Sequence, residues 1–232
     1  MDPFNIYYGI LALVVTIFTV ILGLNMILKY YKYKVLNFIF FGISLIGLSA
    51  RNWPIIGNSI FLYISTNPIS TEWYFILGYG HSLGLISWMI GWTLMVEMKQ
   101  NHKRLILISF SSFEIIYLSL FYINLFLNLS FVGNYDPVLK EFNSGLLVRI
   151  HTYVMIILLI ITLSKLFLDT RKTNNKEIRL KGTFIIIGML SLLIGGIINL
   201  LIKHDLVYSI SLIFCVCFIY FGTVFPNWIK KI

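Results

Sequence analysis

A chain of 232 residues that is 59% hydrophobic and only 12% charged, with a mean hydropathy of +0.89, cannot cover itself with a water-soluble surface, because charged side chains make up about a quarter of a soluble domain. It reads as an all-α integral membrane protein whose apolar runs leave too few residues for a separate soluble catalytic domain. The net charge of +9 is explained by insertion and by anionic inner-leaflet lipid, which argues against a nucleic-acid partner.

Seven apolar runs, each close to the roughly 20 residues a spanning helix needs, predict a single seven-helix bundle over 1–232. They fall near 6–28, 35–60, 73–96, 105–127, 146–168, 182–203 and 205–226. The first follows Met1, Asp2, Pro3 and Phe4 with no basic region before it and no small-residue cleavage site after it, so it reads as a retained helix and not a signal peptide. The second carries "SARNWPIIGNS" (49–59), where Arg51 and Asn52 stand beside the helix-distorting Pro54. Rising about 1.5 Å per residue from Leu36, Arg51 lies roughly 22 Å up a core of about 30 Å. A charge held there is costly and marks a candidate functional position.

The third run enters from the outer side and places His81, in "GYGHSLG", about 12 Å below the outer boundary, with Trp88 deeper. In the fourth, Glu114 is about 14 Å deep, a candidate proton site that Ser111 and Tyr117 can satisfy locally. The fifth brings Arg149 and His151 within about 8 Å of the boundary, and the sixth has Asn199 one turn from its end. The seventh is separated from the sixth only by Lys203, His204 and Asp205, and contains Cys215 and Cys217, which read as free thiols.

Loop charge sets the orientation. "KYYKYK", "KQNHKR", "RKTNNKEIRLK" and the tail "NWIKKI" are basic, whereas connections 61–72 and 128–145 hold Lys140 against Glu72, Asp136 and Glu141. Basic loops stay in the cytoplasm, so the N-terminus is expected outside and the C-terminus inside, in the plasma membrane. The Ile, Asn and Lys richness suggests an AT-rich prokaryotic genome.

Helical spacing aligns Ser44, Gly47, Arg51 and Asn58; Tyr74, Gly78, His81, Trp88 and Trp92; Gly188, Gly195 and Asn199; and Tyr208, Ser211, Cys215 and Gly222. Small residues mark close helix approach, so these stripes are expected to face the interior. Positive groups outnumber negative ones at the shared depth. The expected site is therefore an outer polar cavity in which Arg51, Asn52, His81, His151 and Asn199 hold a small anionic ligand or lipid headgroup above a floor made by Trp88.

No phosphate loop, Cys-x-x-Cys, His-Glu-x-x-His or Gly-x-Ser-x-Gly motif is present. The plan is similar in topology to rhodopsins, to G-protein-coupled receptors and to the seven-helix sensor regions of some kinases. However, residues 206–225 hold no lysine for retinal, and "TVFPNW" lacks the receptor pattern Asn-Pro-x-x-Tyr. "FIFFG" (38–42) and "FIIIG" (184–188) hint at the internal repeat of small sugar transporters. Three readings follow. The first is a receptor or sensor signalling through basic loops to a separate cytoplasmic protein partner. The second is a proton- or ion-coupled transporter. The third is a haem or metal protein using His81 and His151, with no cofactor expected under the first two.

Overall fold

A computed structural model describes residues 3–65, 67–79, 81–136, 141–202 and 205–224, with the side chains of 3–6, 135, 141, 199–202 and 205–206 outside the description. The chain is helical almost throughout. In order it forms α1 (Pro3–Tyr33), α2 (Asn37–Ser49), a 3-10 turn (Ala50–Asn52), α3 (Trp53–Ser65), α4 (Thr71–Gly78), α5 (His81–Met95) and α6 (Gln100–Leu127). It continues with α7 (Leu129–Val132), β1 (Gly133–Asp136), β2 (Glu141–Ser144), α8 (Leu146–Lys172), α9 (Lys176–Ile202) and α10 (Asp205–Val224).

Among the described residues, six helical stretches are long and apolar enough to cross a membrane: α1, α2 with α3, α6, α8, α9 and α10. The third predicted run, 73–96, does not join them as one rod. It is divided at Tyr79, whose N–H donates to Ile76 O and whose O accepts the Ser82 N–H, each bond spanning three residues. The apolar pattern runs through both halves unchanged, so hydropathy does not register the break. Several other helices outrun their predictions, α6 beginning at Gln100 and α9 at Lys176. An apolar run measures the thickness of hydrocarbon, whereas a helix continues into the basic segments beyond it.

Pro54 accounts for the 3-10 turn. It has no N–H to give Ala50 O, its partner four residues back, and that carbonyl takes the Trp53 N–H instead. The tightened turn exposes Arg51 and buries Asn52.

The helices close a ring. α1 packs on α2, α3 and α10; α2 on α5; α5 on α6; α6 lightly on α8; α8 on α9; and α9 on α10. Close approach requires glycine at two seams. A Cβ on Gly42 would stand 2.5 Å from Gly23 O, and one on Gly84 2.8 Å from Gly47 Cα. Trp92 ties the third predicted span to the fifth, its indole Nε1–H donating to Thr162 O at 3.1 Å. The main core joins Phe41, Leu45, Trp88, Trp92, Leu212 and Ile219, and a smaller one holds Tyr79, Tyr117, Phe121 and Leu147. By contrast α6 leaves Ile108, Ile115, Ile116, Ile123 and Phe126 exposed, the surface expected where lipid is the solvent.

The 128–145 connection, expected as a plain loop, contains a short helix and an antiparallel hairpin pairing Gly133 with Ser144 through Asp136 with Glu141. The hairpin is held on two sides. Phe142 stacks on Tyr74 of α4 at 3.7 Å, and Arg149 Nε of α8 donates to Ser144 O at 2.7 Å.

Candidate functional site

The break between α4 and α5 positions the first group. Gly78 O loses its normal donor because the Ser82 N–H bonds Tyr79 O, and His81 Nδ1 lies 2.7 Å from it instead. A carbonyl only accepts, so Nδ1 carries the hydrogen and the neutral ring offers Nε2 as an acceptor. The half-buried His81 ring meets the His151 ring edge-on, centroids 5.9 Å apart.

His151, on α8, turns to α6. Its Nε2 is 3.0 Å from Glu114 Oε1, with His151 3% and Glu114 0% exposed. One proton is shared across that contact whichever atom holds it. Tyr117 lies flat on the His151 ring at 3.7 Å and 5°, with Phe113 parallel to it at 5.9 Å. The sequence allowed Glu114 to be satisfied within its own helix by Ser111 and Tyr117. The structure instead pairs it across the bundle, because α6 and α8 approach at this level with those two side chains facing each other.

Arg51 stands apart from the pair. Its guanidinium is 4.1 Å from the centre of the Tyr208 ring on α10, an arrangement in which the charge rests on the ring's electron-rich face. Besides the Glu114–His151 contact, the ion pairs among the described residues are Lys165 with Asp169 and Lys181 with Glu177. Arg149 belongs to the hairpin anchor, and the side chain of Asn199 lies outside the described residues.

Several buried polar atoms have no hydrogen-bond partner among the described residues. At this site they are both polar atoms of Asn52, Ser44 Oγ, Ser82 Oγ, Trp88 Nε1, the Tyr79 hydroxyl and Glu114 Oε2, with Thr16 Oγ1 and Asp169 Oδ2 elsewhere. The Tyr79 hydroxyl is near those of Tyr117 and Ser82, yet completes no bond in hydrogen-bonding geometry. Each such group costs about 1–3 kcal/mol while unsatisfied. Water or a polar ligand at this level would relieve that cost.

One helical turn deeper the chemistry changes. A shallow, half-open cleft is lined by Leu85, Trp88, Met89, Phe110, Met155 and Leu158, among others. Leu85, Phe110 and Met155 lie four residues from His81, Glu114 and His151 respectively. Trp88, expected as the floor of a polar cavity, therefore forms a wall of an apolar one, braced edge-on by Phe41 at 5.2 Å. Among the described residues, no group of three or more His, Cys, Asp or Glu side chains could hold a metal ion.

Three participants escaped sequence reading. Tyr79 and Ser82 have ordinary apolar-helix surroundings and are defined only by the break, while Tyr208 was visible as a stripe but not as the seat of Arg51. Asn58, aligned with Arg51 in the sequence, serves locally: its Oδ1 accepts the Ile69 N–H at 3.1 Å and shapes the turn before α4. Compared with protein-family models, with curated proteins and with solved structures, the chain matches none.

Proposed function

We propose that this protein is a receptor-like or sensor-like bundle of seven spans, with α4 and α5 together forming the third. Its N-terminus lies outside and its C-terminus in the cytoplasm of a prokaryotic cell. The polar layer binds a small anionic ligand or lipid headgroup, and helix movement is read at the basic loops by a separate protein. The observation that carries this is the set of buried donors without partners on α2, the 3-10 turn and α5, close to the permanently charged Arg51. Asn52 Nδ2, Ser82 and Ser44 can each donate to an oxyanion, and losing their idle state favours the bound form.

The test is thermal denaturation of purified protein titrated with phosphate, acetate and short-chain anionic phospholipid, beside a zwitterionic lipid control. A rise in Tm with an anionic probe, lost in Arg51→Gln, is the expected result. Equal shifts in both proteins would remove Arg51 from the site, and no shift with any anion would sink the reading. Topology is tested separately by single-cysteine labelling of sealed cells. Positions 31, 102 and 175 should label only after permeabilisation, and positions 68 and 134 should label from outside. Outside labelling at 175 would overturn the orientation.

A proton-coupled transporter is the second reading. It is favoured by the broken third span, a feature transporters use to expose backbone groups at membrane depth, and by the buried Glu114–His151 pair.

A further inference from the structure

We infer that Glu114 Oε2 is a proton-binding site that is loaded through His81. The inference rests on the geometry of three side chains and holds for a sensor and a transporter alike. Glu114 Oε1 is occupied by His151 Nε2, which leaves Oε2, fully buried and without a partner among the described residues, as the atom with room for a second proton. His81 is the half-buried histidine beside this pair. Its Nδ1–H is committed to Gly78 O, so protons are gained and lost at Nε2 alone. Delivery therefore needs the ring to swing: Nε2 takes a proton from water on the Arg51 side, the Nδ1–H leaves Gly78 O as the ring turns inward, Nε2 gives the same proton to Oε2 directly or through one water, and the ring returns to its starting tautomer and hydrogen bond.

The balance is simple. One proton leaves water, one oxygen–hydrogen bond forms at Oε2, and the carboxylate charge disappears while the His151 contact at Oε1 remains possible. Removing that charge weakens the hold of α6 on α8, which is otherwise thin. The titratable and charged side chains that face the pair are His81 from α5, Tyr79 from the break, Tyr117 from α6 and, farther off, Arg51 from the 3-10 turn.

The experiment uses the full chain in lipid vesicles, with a downward pH jump followed by the infrared band of a protonated carboxyl. The wild type should show the band rising, and Glu114→Gln should lack it. His81→Asn keeps an amide N–H where Nδ1 was and removes Nε2, so it should reach the same final band with a rate lowered by about tenfold or more. An unchanged rate would overturn the role of His81, and a band that persists in Glu114→Gln would overturn the site. Nitrogen NMR of the wild type guards against a variant that fails to fold. It should find the His81 hydrogen on Nδ1 at neutral pH, and finding it on Nε2 would overturn the route.

Discussion

His151→Ala is expected to destabilise the protein by about 3–5 kcal/mol, the effect of stranding one member of a buried pair. Glu114 is fully buried and its other oxygen has no partner among the described residues, so nothing nearby takes over when the imidazole goes. His151→Gln should cost far less, on the order of 1 kcal/mol, because its amide N–H occupies the position of Nε2 and still donates to Oε1. Replacing both partners by leucine should recover most of the loss, since a buried pair exchanged for packed apolar groups is often neutral. Thermal denaturation, in one detergent, of the wild type, Glu114→Leu, His151→Leu and the double variant gives the double-mutant cycle. Additive losses, with no recovery in the double variant, would show that the two side chains are not coupled.

Gly84→Val should be the most damaging glycine substitution at the seam between α2 and α5. The added Cβ meets Gly47 Cα at 2.8 Å and Gly47 C at 2.9 Å. These are backbone atoms, so only a shift of one helix relieves the clash, at about 1–3 kcal/mol. That shift also reaches the site, because Gly84 is one turn from His81 and Gly47 one turn from Arg51. Gly196→Ala provides the control: nothing lies within 4 Å of its added Cβ, and it should stabilise α9 by about 0.5–1 kcal/mol through lower unfolded-chain entropy. Equal Tm values for Gly84→Val and wild type would show that α2 and α5 do not pack here.

The helical membrane character was legible because hydropathy is additive along the chain. Any stretch of about 20 apolar residues must form its hydrogen bonds internally once it leaves water, and the helix is the local way to do so. Six of the seven runs appear as long helices for that reason. Rise per residue also brought His81 and His151 to one depth, and their rings are neighbours. The glycine stripes were legible as seams: Gly188 packs on Cys215 O and Gly195 on Ser211.

What depth along an axis leaves open is rotation about it and the partner on the other side. Glu114 could have bonded Ser111, Tyr117 or Arg51 on spacing alone. Only the approach of α6 to α8 selected His151, and only the angle of the 3-10 turn carried Arg51 away from that carboxylate and onto Tyr208. The break at Tyr79 was hidden because it is made by two backbone bonds shortening, with no change in apolarity on either side. The sequence alone thus determined the apolar helical character and the element type, both of which follow from local composition. The pairing of the polar groups belongs to the tertiary structure, because a hydrogen bond is short and directional and depends on how two helices are turned toward each other.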